Sequence, residues 1–167
     1  MASAGVRPYR PTDHQAGRRL WTELVDQHGS LYPGPGGSEP GTGFEEYLTR
    51  LDLSGVWVAD HPEYGVVGLV GLIMDGRAGR VEPVVVDARL RGNGLGRALL
   101  DHVAGEARRR GLRELRVTPE SRNVDALRCL HAAGFDVLAA VQLSLDLTDR
   151  PVDRADGIDL HGLRFRS

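Results

Sequence analysis

The stretch RLRGNGLGRALL, residues 89–100, restricts this chain more than any other. Three glycines, Gly92, Gly94 and Gly96, alternate with other residues directly before an apolar helical stripe. Glycine costs backbone entropy and weakens a helix. A cluster of this kind therefore marks a place where the backbone must turn closely around something. At a helix N-terminus the unpaired N–H groups make that something an anion, commonly a phosphate. Three patterns compete for these glycines. A Walker A loop requires Gly-Lys-Ser/Thr, but all 21 basic side chains are arginine and there is no lysine. A Rossmann fingerprint requires GxGxxG in a tight turn directly after a strand of a parallel βαβ unit. Here five residues separate Val86 from Gly92, and the preceding strands read as a hairpin. The remaining pattern is Arg/Gln-x-x-Gly-x-Gly/Ala, which Arg91-Gly92-Asn93-Gly94-Leu95-Gly96 satisfies.

The rest of the chain parses around this turn. GVRPYR reads as a first strand and TDHQAGRRLWTELVDQH as a helix capped by Thr12 or Asp13, with Leu20, Leu24 and Val25 on one face. SLYPGPGGSEPGTG is a glycine- and proline-rich loop, and FEEYLTRL a short helix. GVWVAD, VVGLVGLIM and RVEPVVV read as strands, the last two joined by an Asp75-Gly76 hairpin turn. The glycine turn opens a helix through Arg110, with Leu95, Leu99, Val103 and Ala107 as its buried stripe and Gly111 as its stop. LRELRVTP is a strand, NVDALRCLHAA a helix capped by Asn123 and stopped by Gly134, and FDVLAAVQLSLDL a long alternating strand. The tail GIDLHGLRF adds a last strand. Pro83 removes a ladder donor from its strand, so an unpaired position is expected there.

With 167 residues the chain is read as a single domain over 1–167, residues 148–167 forming a C-terminal extension. It has no apolar run long enough for a membrane span and no signal-peptide core at its N-terminus. The one cysteine, Cys129, excludes an internal disulfide and a cysteine-cluster metal site, and the six histidines show no metal-binding spacing. No metal is expected, and the expected location is cytoplasmic. Net charge is −2 but unevenly spread. Residues 20–65 hold eight acids against the single base Arg50, while residues 77–128 hold twelve arginines against seven acids. Either these are solvated surfaces, or the chain binds an anion near the glycines and a cation near its N-terminal half.

Three segments in order resemble the GNAT (GCN5-related N-acetyltransferase) superfamily. VVVDARLRGNGLGRALL is similar to its strand, loop and pyrophosphate-binding helix, with Ala88 where proline is common. RVTPESRNVDALRCLHAAGF is similar to its next strand and helix, and VRPYRPTDHQAGRRLW to its opening strand and helix. The resemblance implies an α/β fold of the α+β kind. A mixed, mostly antiparallel central sheet is flanked by helices and binds acyl-CoA. It implies acetyl-CoA as acyl donor and a small-molecule or peptide amine as acceptor, with no nucleic acid and no membrane as partner. A homodimer is a candidate assembly.

It also implies a site. The backbone of Val84, Val85 and Val86 would pair with the pantetheine like an added strand, and one of these N–H groups would polarise the thioester carbonyl. Arg91, Gly92, Asn93, Gly94, Leu95, Gly96 and Arg97 would hold the pyrophosphate at the helix N-terminus. Asn123 is a helix cap, or a cap that also touches the cofactor. Glu82 is the first candidate for the base that deprotonates the amine, placed with Val84 and Val86 by alternation; a surface glutamate is the plain alternative. His28, Asp75 and His131 are weaker candidates. Relatives often carry a tyrosine seven residues after the Asn, as acid for the leaving thiolate; here that position is Leu130. A neighbouring helix position is rotated by roughly 100°, so the role does not pass to His131. Two other readings stay open: a non-catalytic acyl-CoA-binding or sensing module, and an acyltransferase that uses a longer acyl-CoA.

Overall fold

The computed structural model describes residues 4–31, 41–145, 147 and 157–166. They fall into two compact units, Met1–Thr118 and Pro119–Ser167.

The first unit contains β1 (Gly5–Pro8), α1 (His14–Leu31), α2 (Phe44–Thr49), β2 (Val56–His61), β3 (Gly65–Asp75), β4 (Ala78–Val86), α3 (Leu95–Arg109) and β5 (Glu114–Arg116). The strands form one sheet in the order β1-β2-β3-β4-β5. β1 through β4 are antiparallel neighbours, and β5 lies parallel to β4. This is the mixed, mostly antiparallel sheet that the sequence implies. β3 is buried from Val66 through Leu72, because helices cover both of its faces. One face packs Leu20 of α1 and Phe44 and Tyr47 of α2 against Val56, Val58, Leu69 and Val85. The other is covered by α3 through Leu99, Leu100, Val103 and Ala107. Each fully buried leucine or valine here removes apolar surface worth about 2 kcal/mol.

Three glycines let elements approach closely. A Cβ on Gly68 would meet the Leu99 side chain at 3.0 Å, so α3 lies directly on the strand there. A Cβ on Gly17 of α1 would run into the Phe44 ring, which fixes how near α2 lies to α1. A Cβ on Gly71 would fall on the Tyr47 hydroxyl and on the Glu82 carbonyl oxygen.

Local details depart from the sequence reading. Asp13 does not cap α1 from outside. It lies buried in a short helical turn before the helix, accepts the Arg10 N–H at 2.8 Å and is ion-paired with Arg7 at 2.7 Å. Val25 is exposed, and Leu20 carries the burial on α1. The β3–β4 turn centres on Gly76-Arg77 rather than Asp75-Gly76: Asp75 pairs with Ala78, and Gly76 takes φ of 60°.

In the second unit α4 (Val124–Ala132) starts at Asn123, whose side chain accepts the Ala126 N–H at 3.1 Å. It ends before Gly134, at φ of 96°. The tail forms a hairpin, β6 (Gly157–Leu160) and β7 (Leu163–Arg166), where one strand was expected. His161 and Gly162 both have positive φ, as a two-residue type I′ turn needs. The long strand expected from Phe135 is not formed: residues 135–145 belong to no ladder, and Val141, Leu143 and Leu145 are exposed. Alternation states which face a segment offers; a strand exists only where a neighbour takes its backbone hydrogen bonds. Asp146 and most of the preceding glycine/proline loop, residues 32–40, lie outside the described residues.

Candidate active site

The site begins where the sheet loses its ladder. β4 and β5 pair only through Ala78–Glu114, Gly79–Leu115 and Arg80–Arg116. Beyond Arg80 no described strand lies against the β5 side of β4. Which backbone groups face that side follows from parity. Asp87 N donates to Val67 O at 2.9 Å, so Asp87 and Val67 are a hydrogen-bonded pair, and so are Val85 and Leu69 two residues earlier. Val85 thus turns its N–H and C=O to β3, while Val84 and Val86 turn theirs outward. One outward group is taken: Arg91 Nε donates to Val86 O at 3.0 Å. The N–H and C=O of Val84 and the N–H of Val86 remain as donors and acceptor for an extended ligand lying along the edge.

The same edge runs into the glycine turn. Asp87, Ala88, Arg89 and Leu90 make a short helical turn, and Gly92 and Gly94 then take φ of 78° and 80°. These are left-handed values that L side chains rarely adopt. A Cβ on either glycine would meet nothing within 4 Å, so both face open space. Gly94 is the N-cap of α3, and no side chain caps the helix. The first N–H groups of α3 therefore lie uncapped beside open space. Asn93 does not point there with its amide, since Nδ2 donates to Leu90 O at 3.2 Å. Leu95 and Gly96 form the partly buried first turn of α3. Arg97 is exposed and holds Asp101 one helical turn on, at 2.8 Å.

Glu82 lies next to this edge but not on the face expected. Val81 is opposite Leu72, and Val84 is opposite Val70. Two residues of β4, Glu82 and Pro83, therefore oppose Gly71 alone. This bulge shifts the alternation by one residue. Val81 and Val84 share a face, and Glu82 does not share the face of Val84 and Val86. Pro83, which has no N–H to give, sits in the bulge. The Glu82 carboxylate is 46% exposed and ion-paired with Arg80 Nε at 3.1 Å. Its carbonyl accepts the buried Tyr47 hydroxyl at 2.6 Å.

A buried carboxylate anchors the turn. Asp87 is 1% exposed and accepts from Arg19 Nη1 at 2.7 Å, Arg89 Nη2 at 2.7 Å and Arg89 N at 3.0 Å. The Arg89 guanidinium, with Arg19 behind it, holds the Asp87 carboxyl well below the usual carboxylate range despite its burial. Arg19 also donates to Val66 O at 2.9 Å. Glu23, one turn along α1, accepts the Ala88 N–H at 2.8 Å and lies 3.9 Å from Arg91. Through Arg19 and Glu23, α1 fastens the segment that carries the glycines. Composition does not reveal this, because the partners lie far apart in the chain.

The other candidates are dispersed. Asn123 caps α4. Asp75 lies at the β3–β4 turn, His28 near the end of α1 and His131 in the last turn of α4. Glu45, one of the eight acids, accepts from Arg18 at 2.7 Å and lies 3.2 Å from His14. Among the described residues no three His, Cys, Asp or Glu side chains gather as metal ligands. No described helix is long and apolar enough to cross a membrane.

An open strand edge leading to an uncapped, glycine-lined helix start can take an extended ligand along the edge and an anionic group at the helix end.

Comparison with known proteins agrees with this geometry. The model of the acetyltransferase (GNAT) family matches residues 16–135. No curated protein matches the chain. Among solved structures, a GNAT-family acetyltransferase from Staphylococcus aureus Mu50 is similar at 18% identity and a TM-score of 0.64, over 79% of this chain and 84% of that one. A tetramutant of the BH1408 protein from Bacillus halodurans is similar at 16% identity and a TM-score of 0.73, over 86% and 99%. A ribosomal-protein-alanine N-acetyltransferase from Brucella melitensis is similar at 22% identity and a TM-score of 0.63, over 78% and 83%. At these identities the likeness is one of fold.

Proposed function

The chain belongs to the GNAT acetyltransferase family, and from this we propose that it transfers the acetyl group of acetyl-CoA to a cationic primary amine. The observation that carries the reading is the continuity of the open β4 edge with the glycine turn at the start of α3. Acetyl-CoA, when bound, supplies an activated thioester acyl group. The chain's own groups then have separate tasks. The N–H groups of residues 92–97 bind the pyrophosphate, with Arg91 and Arg97 beside them. The outward groups of Val84 and Val86 orient the arm. One outward N–H stabilises the negative charge that develops on the acyl oxygen. Glu82 takes the proton that the attacking amine must lose. In direct attack the C–N bond forms, the C–S bond breaks, and the sulfur leaves as thiolate. A thiol with a pKa of about 8.5 leaves without a dedicated acid near neutral pH, so Leu130 at the tyrosine position is compatible with turnover.

Isothermal calorimetry with coenzyme A, and thiol release from acetyl-CoA against a panel of cationic, neutral and acidic amines, test the proposal. Micromolar binding and release with a cationic amine are expected. Absence of coenzyme A binding overturns it. Binding without thiol release from any acyl-CoA on any amine supports the second reading, a non-catalytic acyl-CoA-binding module, which the buried apolar Leu130 favours.

A further inference from the structure

We infer that Tyr47 is a positioning residue of the acyl-transfer site: its hydroxyl, seated over Gly71 and bonded to the Glu82 carbonyl, fixes the bulge that aims Glu82 and sets the outward face of Val84. The inference rests on the function proposed above. Three observations meet at this point. First, the bulge is the only break in the β3–β4 ladder, and it falls on the two residues just before the outward-facing edge. Second, the Glu82 carbonyl takes a donor from outside the sheet. Tyr47 supplies it at 2.6 Å from α2, 35 positions away in the chain. Third, the seat exists because residue 71 has no side chain: a Cβ there would fall on the Tyr47 oxygen.

The phenol is suited to this work. It is 1% exposed and lies against Trp21, at a ring-centroid distance of 4.9 Å, and Phe44, at 6.3 Å. Burial, and then the negative charge of Glu82, push its pKa far up, so it stays a donor at every working pH. A packed ring cannot swing away from the bond. The peptide on the C-terminal side of Glu82 is thereby held from outside the sheet, and the register from Val84 onward is counted from that fixed point. Tyr47 touches neither the acyl group nor the amine in this arrangement. It acts through the backbone of Glu82.

Tyr47→Phe removes the hydroxyl and keeps the ring. In the full chain, kcat for acetyl-CoA with the best amine of the panel should fall about tenfold to a hundredfold, the scale of a misplaced catalytic group. The coenzyme A Kd should stay within about twofold, because binding is dominated by the glycine turn and its charge-assisted phosphate bonds. Amide hydrogen exchange at Gly71 and Val85 should accelerate, and that at Val103 of α3 should not. Incorporation of 3-fluorotyrosine at position 47 keeps the donor and should retain both kcat and protection. The inference is overturned if Tyr47→Phe leaves exchange at Gly71 and Val85 unchanged, if it leaves kcat unchanged, or if it weakens coenzyme A binding as much as it lowers kcat. If the wild-type chain shows no coenzyme A binding, the proposed function fails. The exchange comparison still decides whether the hydroxyl holds the bulge.

Discussion

Arg19 of α1 donates to the carboxylate of Asp87 at 2.7 Å across 68 positions of sequence, and this bond joins the first helix to the segment that precedes the glycine turn. Asp87 has almost no solvent contact, so its charge is compensated almost entirely by Arg19, Arg89 and the Arg89 N–H.

Replacement of Asp87 by alanine leaves two arginines without their shared acceptor. Breaking a buried pair costs about 3–5 kcal/mol; the partial exposure of Arg19 and Arg89 brings the expected loss to about 2–3 kcal/mol. Urea unfolding measures it. The same residue predicts an acid limb of stability. Its folded pKa lies below the unfolded value of about 3.9, so its contribution is complete above that value and disappears as pH falls further, through the folded pKa. In Asp87→Asn the decline below about pH 4 should be shallower than in the wild type. Equal slopes would show that other carboxylates govern acid unfolding.

Gly94→Glu should abolish coenzyme A binding and leave a folded protein. The new side chain projects into open space, so no packing is disturbed. The strain of an L residue at φ of 80° costs about 1–2 kcal/mol. The carboxylate would stand where the pyrophosphate is proposed to bind. Calorimetry on this variant, with circular dichroism as the control for folding, is the measurement; normal affinity would remove the pyrophosphate from this turn.

Glu82→Gln should lower kcat by about a hundredfold or more with little change in coenzyme A affinity, the usual scale of a general base. It should also erase the acidic limb of the pH–rate profile, since glutamine accepts no proton. Arg80→Gln offers a milder perturbation. It removes the ion pair at 3.1 Å that helps hold the carboxylate in place and should lower kcat by less than Glu82→Gln does. A limb that survives in Glu82→Gln would assign the proton to another group.

If the acceptor is cationic, its KM should rise with ionic strength, since screening acts over about 10 Å at 0.1 M salt. The acids around α2 would then differ in effect. Glu45 is already paired with Arg18 and His14, whereas no ion pair joins Glu46 to them. Glu46→Gln should therefore raise acceptor KM more than Glu45→Gln. Steady-state kinetics in 20–300 mM salt, about an order of magnitude in range, would show it. A flat response in both variants would remove long-range attraction from acceptor recognition.

Local chemistry made much of this architecture legible. The stripe Leu99, Val103, Ala107 and the stops at Gly111 and Gly134 are written in single short windows, and each is realised. The fold class followed from the hairpin before the glycine turn and from the order of three motifs. What remained hidden depends on distant partners. The bulge at Glu82 and Pro83 shifts a face by one residue, and only Tyr47 and Gly71, from other elements, make that shift comfortable. A glycine inside an apolar strand opposite a proline was the available signal. Residues 135–145 teach the converse: the alternation at Val141, Leu143 and Leu145, with no ladder partner among the described residues, gave no strand. The Asp87 network is not legible in the sequence because an Asp before a short turn looks like an ordinary turn residue.

The close approach of Gly17 to the Phe44 ring has an evolutionary consequence. A helix interior disfavours glycine by about 1 kcal/mol relative to alanine, so drift alone would tend to replace it. Here a single methyl group at position 17 would displace the Phe44 ring, and α2 is only six residues long, with Tyr47 one turn beyond Phe44. The two positions cannot mutate independently. Lineages that gain a side chain at 17 should carry a smaller residue at 44 or a shifted α2, and sequences that do so mark where selection has re-tuned the strand bulge from a distance.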